Sequence, residues 1–560
     1  MVFLQQHLLI FIEISAVCLT LTISGFLFKN FLLGKKDKKN FEENGLFGYI
    51  FIGFIALLIN FFYPLNIFIN NIFFILILFF GYKSKYFDQR KLKLIKKIFT
   101  SSFIAYIFII YSNVNNPDAF LYHLPYSKIL NDDKIIIGLT NLHSRFGHIS
   151  IYQYISSIYV NSLFQSNGVL LPISLVPSFF FIYCYKKFKK DFKNKDLRLN
   201  SYIIFLFLII SIYSFNRYSG WGNDAQAHIF YYLSVIYFLD HMNRHNDKNN
   251  FNKLMTTCLF TFLIKPFYLI SCLMPLIFFL FDKKKFQIIK SKIFIFLILF
   301  SCLWFLKNFL TSGCLIYPIN SSCVESTSWY NKDRTNIAAI EGEGWSKDWG
   351  NRDKKLNSMY FDEFTSNFNW VKTWVENHFK IVLEKTLPVI IFLILNFVIF
   401  YLTKCLKKNY HEEKNNSFIF LYFINLLGCF AWFTEFPVYR YGSSYIHTFF
   451  VLTFYFILLK NINLEKMIKL KSMFVLIIYL GFFGVFAKNF NRVIKTENKS
   501  IYPIMFDKNF DGKVVKFYNK NGKFIHYRNE KGLCGYSKSP CRFIDTDINK
   551  DVFLGYIIFK

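Results

Sequence analysis

Residues Ser112–Ser150 read SNVNNPDAFLYHLPYSKILNDDKIIIGLTNLHSRFGHIS, a polar island set between strongly apolar segments. It holds one well-placed acid, Asp118, followed by Tyr122 and His123, and then a second cluster of His143, Arg145 and His148. Nearly everything around it reads as lipid-embedded scaffold. The side of the membrane that this island faces therefore sets the topology of the whole chain.

The flanking composition fixes the class. The chain has 560 residues, 54% hydrophobic and 21% aromatic, far above a soluble average. A net charge of +31 would point to nucleic acid in a soluble protein. Here the lysine runs fall between apolar segments of spanning length, so the charge reads as positive-inside topology with no nucleic-acid partner. No small-residue cleavage site follows the first apolar segment, which reads as a retained helix.

The Lys/Arg rule then orients the spans. Residues 8–33 end at Lys35, Lys36, Lys38 and Lys39, which marks that end as cytoplasmic. Segments 46–63 and 67–82 follow, then the basic loop KSKYFDQRKLKLIKK, and a helix over 97–111 delivers the island to the outer face. Residues 149–164 are too short to cross, since about twenty residues span the hydrocarbon. They are expected to form an interfacial or half-penetrating helix. Residues 253–281 have basic loops at both ends and read as a hairpin of two shortened helices, with Lys265-Pro266 at its turn.

The pattern as a whole predicts an all-α polytopic membrane protein with about 13–14 transmembrane helices. The transmembrane domain covers 1–490, with outer loops at 112–165 and 311–387. The second loop carries Trp329, Trp345, Trp349, Trp370 and Trp374, expected as a lid anchored among the headgroups. Residues 491–560 read as a small β-rich outer appendage with Asn521-Gly522 as a hairpin turn. Two cysteine couples, Cys314 with Cys323 and Cys534 with Cys541, fall in polar stretches and could each close a disulfide on an oxidising side.

Several residue groups on that face carry possible chemistry. Asn116-Pro117-Asp118 has the pattern of a helix start, where an acid simply complements the dipole. Tyr122 shares its face, however, and a basic cluster follows, which is more than capping requires. His143, Arg145 and His148 offer phosphate-pairing donors, or headgroup anchors for a re-entrant helix. A metal on the two histidines lacks a further ligand set, so a divalent ion stays an open cofactor question. Arg217 and Asp224 bracket RYSGWGND at an outer helix end, with His228 one turn on. Lys265 is an intramembrane lysine that either faces a partner or snorkels. Arg440 sits at the tip of the turn EFPVYRYG.

One acid and several cations at a membrane surface match one reaction. When a sugar moves from a lipid phosphate to a hydroxyl, the leaving phosphate needs cations and the hydroxyl needs one carboxylate to take its proton.

On Asp118, NLHSRFGH, the IKPF hairpin and the late PVYRYG turn, the chain resembles the GT-C class of membrane glycosyltransferases, which contains the protein mannosyltransferases and aminoarabinose transferases. It is also similar to a bacterial membrane-protein branch with a D…YH…LHxRxG pattern and a KNFLxSGCLIYP segment, here Lys307 to Pro318. The resemblance covers about residues 95–460, and the chain departs from the class in having three spans before the catalytic-loop helix. It implies Asp118 as catalytic base and a polyprenyl-phosphate-linked sugar as donor, with inversion at the anomeric carbon. It implies Arg145, Lys265 and Arg440 on the phosphate, and His123 and His143 for orientation. The acceptor would be a glycan, lipid or protein, and the location a bacterial inner membrane with the site facing outward. A polysaccharide polymerase or O-antigen ligase, and a lipid-linked glycan flippase, are the competing expectations.

Overall fold

The computed structural model describes residues 2–34, 40–88, 91–109, 118–148, 150–193, 199–215, 222–243, 248–281, 288–349, 361–406, 416–459, 464–495, 514–518, 524–530, 533–542 and 548–560. Helices dominate. In chain order they are α1 (Val2–Phe28), α2 (Phe41–Phe62), α3 (Ile67–Lys83), α4 (Lys91–Ile109), α5 (Leu124–Asp132), α6 (Leu139–Leu142), α7 (Ile151–Ser157) and α8 (Leu171–Lys193). Then follow α9 (Leu199–Ser214), α10 (Asp224–Asn243), α11 (Lys248–Ile264), α12 (Leu273–Phe281) and α13 (Lys292–Ser312). The remainder are α14 (Lys332–Ser346), α15 (Phe361–Thr365), α16 (Val371–Trp374), α17 (Lys380–Leu402), α18 (Asn416–Glu435), α19 (Tyr439–Leu459), α20 (Leu464–Lys469) and α21 (Lys471–Lys495).

Among the described residues, 6 helical stretches are long and apolar enough to cross a membrane, in α1, α2, α13, α17, α18 and α21. Their outward faces are apolar rather than charged: Ile391, Ile394 and Leu395 on α17 and Tyr479, Leu480 and Phe483 on α21 are all exposed. Apolar surface of that extent needs a lipid solvent, which makes this a helical membrane protein.

Buried charge ties the helices together at the end of the bundle away from the island. Lys29 at the end of α1 pairs with Glu43 of α2. Lys253 of α11 reaches the same carboxylate at 2.9 Å, and the Tyr237 hydroxyl of α10 donates to it at 2.8 Å. All four groups are buried, so each charge requires its partner.

At the opposite end, buried asparagines do the joining. Asn70 Nδ2 donates to the carbonyls of Leu65, Ser157 and Val160, and Asn131 Nδ2 reaches Ser157 O at 2.9 Å. This explains why 149–164 is not the interfacial helix expected from its length. Its helical part is only Ile151–Ser157, begun by a Ser150/Gln153 capping box, and its residues are buried inside the bundle. Two of its polar side chains have tertiary partners: Gln153 meets His123, and Ser157 donates to Ser127 O.

The 253–281 stretch does fold as a hairpin. α11 rises to Lys265, whose backbone is extended (φ −148), and Pro266 opens a 3₁₀ segment, Pro266–Cys272, that leads down into α12. The descent is traced by contacts with α10: Tyr268 meets His228 near its start, and Phe278 meets Phe238 and His241 near its end.

The tail forms two antiparallel hairpins, β1 (Val514–Tyr518) with β2 (Phe524–Asn529), and β3 (Lys550–Phe553) with β4 (Tyr556–Phe559). Asn521 and Gly522 lie outside the described residues, between the paired strands β1 and β2. Both expected disulfides are present, Cys314–Cys323 and Cys534–Cys541.

The tail grips the island. Ile137 N donates to Ile557 O and Phe559 N returns a bond to Ile137 O, each at 2.9 Å. Gly535 N, inside the second disulfide loop, donates to Phe120 O at 2.8 Å. Gly138 between these contacts has φ +65, and a Cβ there would sit 2.1 Å from Phe559 O, so only glycine fits.

Candidate functional site

A cavity of about 770 Å³ opens at the island's end of the bundle. Asp118 enters it just before a π-helical turn, Ala119–His123. Asn116 and Pro117 lie outside the described residues, and the Asp118 side chain makes no capping hydrogen bond with that turn. Arg145 and His148 come from the 3₁₀ turn Ser144–Gly147 and the residue after it. Asp224 and His228 come from the start of α10, Lys265 from the α11 kink, Trp304 and Asn308 from α13, Trp345 from α14, and Arg440 and Tyr441 from α19.

The charged groups form a chain. Arg440 Nη2 stands 3.5 Å from Asp118 Oδ2, and its Nε 3.9 Å from Asp224 Oδ2. Lys265 Nζ donates to Asp224 Oδ1 at 2.5 Å and lies 3.7 Å over the Tyr441 ring. Lys265 thus has a carboxylate partner and an aromatic face, and does not snorkel. The Arg440 guanidinium lies 5.2 Å from the ring centres of both Trp345 and Tyr441, which meet each other at 6.4 Å.

The backbone that carries Arg440 is fixed from below. His228 Nε2 donates to Arg440 O at 2.9 Å, and the Tyr268 hydroxyl donates to Tyr441 O at 3.1 Å. Arg440 is not at the tip of a turn, as PVYRYG suggested. It lies in the first turn of α19, and Gly442 is inside that helix, where the Trp432 ring packs against it.

His123 is buried, and its Nδ1 faces the Tyr152 hydroxyl at 2.9 Å and Gln153 Nε2 at 3.1 Å. Burial pushes its imidazole down to about 3, so the ring is neutral. His148 lines the cavity and is exposed there, with Tyr317 edge-on to its ring. His143 is lowered to about 3, first by burial and then by Arg542 and Arg145. It does not line the cavity. Its Nδ1 accepts from Arg145 N at 3.0 Å, which shapes the turn that presents Arg145. Burial thus disfavours the charged ring at His123 and His143, and of the three histidines His143 stands off the cavity. Tyr122 lines the wall beside Asp118, and burial raises its hydroxyl well above the usual range. Arg217 lies outside the described residues.

Five described cations line the cavity (Arg145, Lys265, Lys385, Arg440 and Lys488) against two carboxylates, Asp118 and Asp224. Lys265 and Arg440 are each tied to a carboxylate; among the described residues none pairs with Arg145. A cavity with this surplus is suited to an anion. No group of three or more His, Cys, Asp or Glu among the described residues could hold a metal ion.

A family model described as a domain of unknown function, DUF8201, matches residues 8–447. The chain belongs to that family. The DUF8201 match takes in α1 through the first half of α19, and so includes Asp118, Arg145, Asp224, Lys265 and Arg440. Lys488 and the tail that grips the island lie beyond it. No curated protein and no solved structure matches the chain.

Four features of the site had no signal strong enough to single them out in the sequence. Gln153 and Tyr152 lie in the short 149–164 segment, which by itself shows no partner for either. Tyr317 is brought to the cavity by the Cys314–Cys323 loop, with its ring against Gly147, where a Cβ would come within 2.2 Å. Trp345 is the loop tryptophan that reaches the cavity. Trp370 and Trp374, expected among headgroups, are buried against Phe433 and Trp432, because their ring area is better removed from solvent there.

Proposed function

We propose that this protein is a membrane glycosyltransferase that moves a sugar from a polyprenyl-phosphate donor to an acceptor hydroxyl, with inversion. The observation that carries this reading is the convergence of one cavity-facing carboxylate, Asp118, with a surplus of cations and with aromatic faces, in a protein of apolar helices. Asp118 takes the acceptor proton, which is general-base work worth about 10²–10⁴ in rate. Asp224 is poorly suited to that role because Lys265 occupies its Oδ1. Arg145, with no described carboxylate partner, is the first cation for the departing phosphate, and Arg440 and Lys265 complete its surroundings. Trp345, half exposed at the cavity, offers a ring face on which a pyranose stacks.

The same reading gives the protein a GT-C-like fold with about 13–14 crossings. It places the cavity on the outer face of a bacterial inner membrane. Both disulfides support that side. Each closes a loop that touches the cavity or the island, and disulfides persist in oxidising compartments. Labelling of a Lys332→Cys variant from outside intact cells tests it, since Lys332 is exposed on α14. Labelling only after the membrane is opened would refute it.

Purified protein in nanodiscs, offered a panel of polyprenyl-phosphate sugars, tests the activity. Asp118→Asn should lower transfer by about 10²-fold or more while the protein accumulates normally. Undiminished transfer in that variant would remove Asp118 from the mechanism. Lipid movement without transfer would make the protein a flippase.

A further inference from the structure

Helix α14 leans on the Cys314–Cys323 loop at two points. Ala338 packs with Cys314 and Tyr317, and Asn320 Nδ2 donates to Asn336 Oδ1 at 2.7 Å. One turn after Ala338 the contact ends at Gly342, which lines the cavity with Pro318 and Ile319 of the loop. Among the described residues no atom lies within 4 Å of a Cβ built on Gly342. Gly344, on the other side of the helix, differs: a Cβ there would come within 3.2 Å of Phe361 and Trp349. Packing therefore accounts for Gly344 but leaves Gly342 unexplained, and glycine inside a helix is less stable than alanine. Trp345, three residues on, shares the face of Gly342 and is 50% exposed. α14 is not one of the apolar crossing helices, and Lys332 and Glu341 are exposed along it, so this cleft lies on the aqueous side of the cavity.

We propose that the cleft between α14 and the disulfide loop is the acceptor subsite, and that the acceptor is a carbohydrate whose ring lies on Trp345 and passes over the bare backbone of Gly342. A sugar ring has an apolar C–H face rimmed by hydroxyls, and the wall matches it with an exposed indole beside a guanidinium. Arg440 Cζ is 5.2 Å from the Trp345 ring centre, and Arg440 Nη2 is 3.5 Å from Asp118 Oδ2. A ring on the indole thus brings its hydroxyl edge toward the acid read above as the base. The donor sugar is tethered through its phosphate to a lipid chain, which leaves the water-side cleft to the substrate that arrives from solution. The role as acceptor subsite rests on the glycosyl-transfer reading; the affinity of the cleft for a sugar ring does not.

The test is saturation-transfer difference NMR of the full-length protein in nanodiscs, free of glycoside detergent, with the methyl glycosides of glucose, galactose, mannose, rhamnose and N-acetylglucosamine as probes. The wild type should bind at least one, with its signal strongest on the protons of one ring face. Trp345→Ala should weaken that binding about ten-fold, and Trp345→Phe should keep most of it. Gly342→Trp fills the cleft and should abolish the signal, whereas Ile337→Trp, at an exposed position elsewhere on α14, should not. In transfer assays the Trp345→Ala and Gly342→Trp proteins should show a raised KM for a glycan acceptor and an unchanged KM for the donor. Absence of signal from every glycoside, or a signal that survives in folded Gly342→Trp and Trp345→Ala proteins, would overturn the proposal. So would a KM raised for the donor alone. Glycoside binding with no transfer from any polyprenyl-phosphate sugar would instead defeat the transferase reading, and the acceptor role with it, and leave a carbohydrate site, so the two failures are distinguishable.

Discussion

The link between Asp224 and Lys265 makes a quantitative claim about the site. The pair meets at 2.5 Å with side chains 12% and 29% exposed for Lys265 and Asp224. At an effective dielectric constant near 20, charges about 4 Å apart attract by about 4 kcal/mol. Partial desolvation of both groups takes back most of that, and leaves a coupling of about 1–2 kcal/mol. The two single variants should differ. Asp224→Asn strips the partner from an enclosed lysine and weakens the Arg440 contact as well, at a cost of about 2–4 kcal/mol. Lys265→Met leaves Asp224 facing Arg440 at 3.9 Å, and should cost about 1–2 kcal/mol. The assay is a double-mutant cycle in reversible SDS unfolding of the full-length protein. A coupling below about 0.5 kcal/mol, or a lysine variant costlier than the aspartate one, would show that Asp224 does not hold Lys265.

Gly147→Ala should crowd the Tyr317 ring, 2.2 Å from the added carbon, costing about 1–3 kcal/mol in unfolding and narrowing the cavity. Asn70→Leu takes the amide donor from the Val160 carbonyl, while Leu65 and Ser157 keep Asn131, and thermal unfolding should show a loss of about 1–3 kcal/mol. Asp133 is pushed up to about 6, chiefly by burial and then by Asp132. Because the folded protein holds that proton more tightly than the unfolded chain, stability contributed below pH 4 is lost as pH rises through 6. Asp133→Asn should thus stabilise the protein by about 1–2 kcal/mol at pH 8 and leave it unchanged at pH 4, as read by unfolding at the two pH values.

The apolar blocks and their basic borders were enough to locate α3, read as 67–82 and observed as Ile67–Lys83, because helix period and lipid-facing composition are local properties. Pro266 announced the α11 kink for the same reason: a missing backbone donor acts where it stands. The failures were all tertiary. Nothing near Gln153, Ser156 and Ser157 reveals that Asn70 and Asn131 come from other segments to meet the carbonyls around them. Trp370 and Trp374 have the composition of headgroup anchors, and only the position of Trp432 makes them core. Asp118, Arg145, Lys265 and Arg440 could be picked out as polar residues in apolar surroundings. Their order, with Arg440 bridging two acids, depends on how α10, α11 and α19 meet.

The strand pairing between Ile137 and the tail also sets a timetable. Asn141 Nδ2 donates to Phe559 O across 418 residues of chain. At roughly 5–20 residues per second, a ribosome needs on the order of tens of seconds to make that interval. During that time the segment bearing Asp118 is already threaded into its membrane without the contacts from Gly535, Ile557 and Phe559 that hold it. The cavity is therefore assembled in two instalments, and the contacts that hold Phe120 and Ile137 come only with the second. Ribosomes stalled before residue 533 should display a protease-sensitive island that becomes resistant once the rest is released.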